Sequence, residues 1–329
     1  MPKFFYDSDA DLSIIRNKKV AFVGYGNQGR AQALNLRDSG VTNIIVGNRD
    51  DEYKPQAIAD NFKTVSITEA VKEGEVIFLL IPDEDQQQVW KEQIVDHLLP
   101  NATLVVASGY AVAFDLLDLP ASLDVVMVAP RMIGAGVRDR YVANEPYPCF
   151  VSVEKDASGK ALETAVSIAS ALGATRGRGA VESSCREEAG IDLFAEQALW
   201  PAINSCFIEA YKVLKGAGFS DEAILFDMYM SKEPSEVFER ASTVGFFKQL
   251  KYHSKTSQFG QLRGTKNNDG TALREKFEKV LHKDILSGDF ARYWSNSLAG
   301  GAKELEDLWK ETETQPLQIA ENTLGLHKE

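Results

Sequence analysis

The sequence predicts an α/β first half, a Rossmann-type doubly wound parallel sheet, followed by an all-helical second half. Three observations carry this. Short Val- and Ile-rich runs, apolar on both faces, alternate with amphipathic helical patterns, as strands of a parallel sheet covered on both sides require. The first of these runs leads into G-x-G-x-x-G and then straight into a helical pattern. Beyond Ser183 the β-rich runs stop and only helical periodicity remains.

The expected strands cover residues 20–24, 43–47, 76–82, 104–108, 125–130 and 149–153. Helical patterns at 28–39, 84–98 and 158–172 lie between them, the βαβ rhythm of a wound sheet. Residues 175–179, Thr-Arg-Gly-Arg-Gly, read as a loop or a last edge strand. The second half is expected to hold helices at 193–214, 223–230, 234–252, 273–287, 289–294 and 302–311. Residues 264–270 read as an exposed loop, being Gly-Thr-Lys-Asn-Asn-Asp-Gly. The change of texture puts a domain boundary near residue 182, giving a dinucleotide-binding domain over 1–182 and a helical domain over 183–329.

Composition agrees with this division. At roughly 150 residues per domain, 329 residues make about two domains. With 44% hydrophobic and 26% charged residues the chain reads as an ordinary folded protein. Its charge of −12, from 36 basic against 48 acidic residues, argues against nucleic acid as the main partner. Apolar runs such as 76–81 are far shorter than the roughly 18 residues of a membrane span. The first residues lack the basic-then-apolar order of a signal peptide. Cys149, Cys185 and Cys206 are odd in number and widely spaced, forming neither a disulfide framework nor a zinc signature. A reduced, cytoplasmic protein is expected. The histidines, His97, His253, His282 and His327, are scattered and suggest no metal cluster.

The glycine pattern is Gly24-Tyr25-Gly26-Asn27-Gln28-Gly29. Gly24 permits the tight turn, Gly26 lets the backbone approach a pyrophosphate, and Gly29 lets the helix pack close to its strand. The helix N-terminus then offers N–H groups and partial positive charge to the phosphates. The next strand ends before Asn48-Arg49-Asp50-Asp51-Glu52, the loop that meets the adenosine ribose in such folds. Asp50 and Asp51 favour NADH, because a carboxylate accepts from a free 2′-hydroxyl and repels a 2′-phosphate. Arg49 points the other way, as a partner for that phosphate.

Asp192 and Glu196 lie one helical turn apart, so two carboxylates share a face. A hard divalent cation would relieve their repulsion. The alternative reading is a solvated acidic face.

These residues resemble the ketol-acid reductoisomerases of branched-chain amino-acid biosynthesis, in their short form. The likeness runs over nearly the whole chain. It includes the glycine pattern with Ala33-Leu34-Asn35-Leu36-Arg37-Asp38-Ser39-Gly40, then Leu80-Ile81-Pro82-Asp83-Glu84 and Asp156-Ala157-Ser158-Gly159-Lys160. It continues with Asp192-Leu193-Phe194-Ala195-Glu196-Gln197 and Asp284-Ile285-Leu286-Ser287-Gly288-Asp289-Phe290-Ala291. Such enzymes shift an alkyl group of an acetohydroxy acid with two magnesium ions and then reduce the ketone with a nicotinamide cofactor. The resemblance implies a knotted helical domain and a homodimer, or a higher homo-oligomer, whose active sites the partner chain completes. It implies that Asp192 bridges the metals and Glu196 binds the first, and it adds Pro82 and Ser108 to the cofactor-contacting set.

The chain departs from the family at several of these positions. The family's Ala-His-Gly-Phe is here Ala107-Ser108-Gly109-Tyr110, and a serine hydroxyl cannot replace an imidazole base. Its Ala-Pro-Lys-Gly-Pro-Gly-His becomes Ala129-Pro130-Arg131-Met132-Ile133-Gly134-Ala135, so a planar guanidinium stands where an ammonium is usual. Two glutamates of the partner-supplied helix align with Asp227 and Ser231, which holds a second magnesium poorly and makes one ion the expectation. The family's substrate-binding serine corresponds to Ser254.

Alkyl migration needs charge stabilisation on two adjacent oxygens. Hydride transfer needs a positioned carbonyl, a proton donor and the nicotinamide. The sequence therefore predicts a nicotinamide-dependent reductase of a small carboxylate-bearing keto or hydroxy-keto compound, or an imine, with the isomerase step weakened or lost. In this reading Arg131 grips the carboxylate. A genuine magnesium-dependent reductoisomerase and a catalytically inactive nucleotide-binding or structural member are the alternatives.

Overall fold

The computed structural model describes residues 1–326; His327 lies outside the described residues. The chain divides into two compact units, Met1–Ile191 and a second from Asp192 onward.

The first unit is built on a nine-stranded sheet of order β1-β9-β8-β7-β6-β5-β2-β3-β4. Its strands are β1 (Phe4–Phe5), β2 (Val20–Val23), β3 (Ile44–Gly47), β4 (Lys63–Val65), β5 (Val76–Leu79), β6 (Thr103–Val106), β7 (Asp124–Pro130), β8 (Cys149–Lys155) and β9 (Ala180–Glu182). The helices between them are α1 (Leu12–Arg16), α2 (Asn27–Asp38), α3 (Tyr53–Ala59), α4 (Ile67–Glu73), α5 (Asp83–Val89), α6 (Tyr110–Ala113), α7 (Gly134–Val142) and α8 (Ala161–Leu172).

Strand alternation sorts side chains into two apolar layers. Val20, Phe22, Val76, Phe78, Val105, Val126 and Val128 join one buried cluster. Val23, Ile77, Leu79, Leu104, Val106, Val125 and Met127 join the other. Phe22 and Phe78 stack at 4.4 Å across neighbouring strands. Burial on both faces is why these strands read as unbroken apolar runs.

The sheet is mixed rather than wholly parallel. Strands β2 to β7 run parallel, but β8 pairs antiparallel to β7, and β1 antiparallel to β9. The helix α7 between β7 and β8 packs against α2 instead of crossing back over the sheet. The chain therefore enters β8 from the end at which it left β7. The strand order reverses between β2 and β5, and ligands of open α/β sheets bind beyond the strand ends at such a switch point.

The second unit is helical throughout its described residues. The division falls within α9 (Cys185–Phe194), followed by α10 (Trp200–Gly216), α11 (Asp221–Leu225), α12 (Glu233–Val244), α13 (Lys255–Asn267), α14 (Thr271–Lys279), α15 (Asp289–Ala299), α16 (Lys303–Thr312) and α17 (Pro316–Thr323). The loop expected at 264–270 is a correction: α13 runs on to Asn267 and only Asn268–Gly270 turn. The Thr265 hydroxyl donates back to the Gln261 carbonyl at 2.9 Å, so a residue type that favours loops is accommodated inside the helix. Tyr211, Ile224, Leu225 and Ala320 form a small core in this unit.

Candidate functional site

The glycine turn stands at the switch point, between β2 and α2. Gly24 adopts φ +97°, and a Cβ there would lie 2.7 Å from the Leu80 carbonyl oxygen. A Cβ on Gly29 would lie 2.3 Å from the Gly24 carbonyl oxygen, so glycine lets α2 close on the turn. Gly26 instead faces open space, with nothing within 4 Å of a Cβ. It precedes Asn27, the first residue of a twelve-residue helix. This combination fits a dinucleotide pyrophosphate: an open backbone approach at a helix N-terminus.

Several side chains lock the turn. The Tyr25 N–H donates to Asn48 Oδ1 at 3.1 Å. Asn48 Nδ2 in turn donates to Asp51 Oδ1 at 2.7 Å, so one buried amide ties the phosphate turn to the ribose loop. The Tyr25 hydroxyl donates to Asp60 at 2.9 Å, and Arg30 grips both oxygens of that carboxylate. Hydrogen bonding from Arg30, against the opposing effect of burial, holds Asp60 below the ordinary carboxylate range. Gln28 donates to the Met132 carbonyl at 2.8 Å, joining α2 to the segment after β7.

A cleft of about 370 Å³ opens here, lined among others by Gly24, Tyr25, Gly26, Asn27, Gln28, Arg49, Asp51, Pro82 and Asp85. The two ribose-loop aspartates behave differently. Asp51 turns inward, 16% exposed, and its Oδ1 also accepts from the Tyr53 N–H at 3.0 Å. Burial opposes its ionisation, but hydrogen bonds from Tyr53, Arg49 and Asn48 prevail and lower its pKa. Asp50 points outward, 90% exposed, and pairs with Lys54. Of the two carboxylates only Asp51 lines the cleft.

Farther along the sheet, Ser108 and Gly109 follow β6 and Arg131 follows β7. Glu188, from α9, joins these loops. Its side chain is 1% exposed, and it accepts from the Gly109 N–H at 2.6 Å while pairing with the Arg131 guanidinium. Arg131 also lies over the Phe150 ring, 5.4 Å from its centroid. Gly109 is required here, because a Cβ would lie 2.4 Å from the Cys185 carbonyl oxygen. The Tyr110 hydroxyl is buried without a hydrogen-bond partner among the described residues, and burial followed by the nearby Asp83 pushes it up to about 12. The thiols Cys149 and Cys185 are buried, and burial raises both.

Two of the three expected metal residues lie in π-helical turns. Asp192 is in α9, Glu196 in the π-helical turn Ala195–Leu199, and Asp227 in a second such turn, Phe226–Met230. Among the described residues no three His, Cys, Asp or Glu side chains are arranged to hold a metal ion, so Asp227 is not brought to Asp192 and Glu196 within one chain. The carboxylate donors of Asp192 and Glu196 are of the type magnesium takes. Ser254 has a structural role, since its hydroxyl accepts from the Ser257 N–H at 3.2 Å and caps α13.

Sequence reasoning missed Asn48, Asp85 and Glu188. The only local signals were the acidic first turn Asp83-Glu84-Asp85 and a glutamate one turn before Asp192.

The reversed sheet, the glycine turn and the inward carboxylate after β3 define a Rossmann-type dinucleotide-binding protein. Residues 14–178 match the family model "Acetohydroxy acid isomeroreductase, NADPH-binding domain", and residues 185–326 match "Ketol-acid reductoisomerase, C-terminal domain". A Saccharolobus solfataricus chain, provisionally named ketol-acid reductoisomerase 3, is 40% identical over 323 residues, covering 96% of this chain and 95% of that one. The ketol-acid reductoisomerase (NADP(+)) of Kocuria rhizophila is 38% identical, covering 97% and 92%. The solved structure of an NADH-preferring ketol-acid reductoisomerase from an uncultured archean superposes with a TM-score of 0.89 at 27% identity, covering 98% of each chain. The chain belongs to the ketol-acid reductoisomerase family.

Proposed function

We propose that this chain is a nicotinamide-dependent reductase of its family, acting on a small carboxylate-bearing keto or hydroxy-keto compound, or an imine, with the alkyl shift weakened. The observation that carries this is the pairing of a complete dinucleotide cleft with an altered substrate end, where Ser108 and Arg131 replace the family's histidine and lysine. The bound nicotinamide would supply the hydride. Gly26 and the N-terminus of α2 would hold its pyrophosphate, and Asp51 a free ribose 2′-hydroxyl. The inward placement of Asp51 supports NADH, as does likeness to an NADH-preferring relative.

Arg131, fixed by Glu188, carries a permanent charge that attracts a carboxylate and stabilises developing negative charge, but it cannot give up a proton. Ser108 can hydrogen-bond a substrate oxygen but cannot serve as a base near neutral pH. Asp192 and Glu196 would hold one magnesium ion, which polarises a carbonyl. Asp227 and Ser231, coming from a partner chain, would make a poor second site.

We further propose a homodimer or larger homo-oligomer. Phe226, Phe246, Phe247, Phe259 and Trp309 are 55–67% exposed, and so many large aromatics left in water favour burial between copies. No described helix is long and apolar enough to cross a membrane. The unpaired cysteines favour a reducing, cytoplasmic setting.

Likeness over nearly the whole length favours a second reading, a genuine reductoisomerase with an altered site. Product analysis after incubation with acetolactate, magnesium and NADH or NADPH separates the two. Slow or absent dihydroxyisovalerate is expected, and brisk formation overturns the first reading.

A further inference from the structure

Arg49 is the feature of the ribose loop that argues for a 2′-phosphate, and its surroundings answer it. Its Nε lies 3.1 Å from Asp51 Oδ2, and its Nη1 lies 3.3 Å from Asp85 Oδ2. These carboxylates come from different parts of the sheet. Asp51 follows β3, whereas Asp85 stands in the first turn of α5, after β5. Both line the same cleft as the glycine turn. Asp51 is itself immobilised by Asn48 and the Tyr53 N–H, so it forms a fixed anchor for one side of the guanidinium.

We infer that Asp85 is a cofactor-selecting residue, which holds Arg49 against Asp51 and so denies the guanidinium to a 2′-phosphate. This rests on the reading of the cleft as a dinucleotide site. One cation between two carboxylates leaves a net charge of −1 where an additional phosphate would have to sit. A 2′-phosphorylated cofactor must displace Asp85 from Arg49 to gain a bidentate contact and then tolerate the freed carboxylate. A 2′-hydroxyl makes neither demand, since it donates to Asp51 directly. Selectivity then comes from penalising the wrong ligand rather than from added contacts to the right one. The triad does little for the fold: Arg49 is 67% exposed and Asp85 39%, and such pairs contribute roughly 0–1 kcal/mol. Removing Asp85 therefore leaves a folded protein in which selectivity can be read.

The test is direct binding of NADH and NADPH, by calorimetry, to the full chain and to Asp85→Asn, Arg49→Gln and the double variant. The wild-type protein is expected to bind NADH more tightly. Asp85→Asn is expected to lower the ratio of the NADPH to the NADH dissociation constant about tenfold, the size of one charge-assisted contact. The effect should vanish in the Arg49→Gln background, because the carboxylate acts through that guanidinium. A change below about threefold in Asp85→Asn, or an equal change without Arg49, overturns the inference while leaving the dinucleotide site standing. Wild-type preference for NADPH also overturns it. Failure of either cofactor to bind the wild-type protein overturns the reading of the cleft as well.

Discussion

Glu188 is a buried carboxylate beyond the ends of β6 and β7. Its buried carboxylate is held by the Gly109 N–H and by Arg131, so it joins the loops after β6 and β7 to α9. Breaking a fully buried ion pair typically costs about 3–5 kcal/mol. Because Arg131 is 24% exposed, Glu188→Gln is expected to cost less, about 2–3 kcal/mol, measured as a lower urea midpoint at unchanged slope. Asp60 gives a pH-dependent counterpart. Its pKa is lowered in the folded state, above all by Arg30, so its stabilisation is present above the unfolded value of about 3.9 and is lost as pH falls through the folded value. Asp60→Asn should cost about 1 kcal/mol at neutral pH, modest because Arg30 is half exposed, and the difference from wild type should shrink as the pH falls through the lowered folded value. Partners such as Asn48, Asp85 and Glu188 were not legible in the sequence, because only the fold decides which distant residues they meet. Asp50 and Asp51 were legible as a pair but not as one inward and one outward side chain.

Among the secondary-structure elements, local rules worked where local physics decides. The glycine turn fixes its own geometry, so Gly24–Gly29 and α2 could be read directly. The central strands declared themselves by burial on both faces. The short strands β1, β4 and β9 did not, since two or three partly exposed residues carry no periodicity. Nor did the direction of β8, which follows from α7 docking on α2. The close approach at Gly29 makes a sharp prediction. Gly29→Ala sets a methyl against the Gly24 carbonyl and should cost about 3 kcal/mol or more, with cofactor affinity falling at least about tenfold. Thermal melting and calorimetry check the two effects. The π turn Ala195–Leu199 has a cause in the sequence. Pro201 lacks an N–H, and its ring would press on the Gln197 carbonyl in an α-helix, so the turn widens.

For the molecule as a whole, the sequence revealed its class because strand runs, the glycine turn and family motifs agree along the chain. The substrate site was less legible, since its parts come from separate elements and, by resemblance, from a second chain. The exposed aromatics of the helical unit lead us to expect a species of at least twice the monomer mass in sedimentation equilibrium at micromolar concentration. A monomer there would contradict the proposed assembly. If Ser108, Arg131, Asp227 and Ser231 have the proposed effect, reduction survives where alkyl migration is weakened. The decisive measurement compares kcat/KM, with NADH and magnesium, for acetolactate and for its rearranged isomer 3-hydroxy-3-methyl-2-oxobutanoate, which needs reduction alone. A preference of at least about tenfold for the rearranged isomer is expected, corresponding to about 1.4 kcal/mol or more of extra barrier in the shift. Equal kcat/KM for the two compounds would contradict a weakened shift.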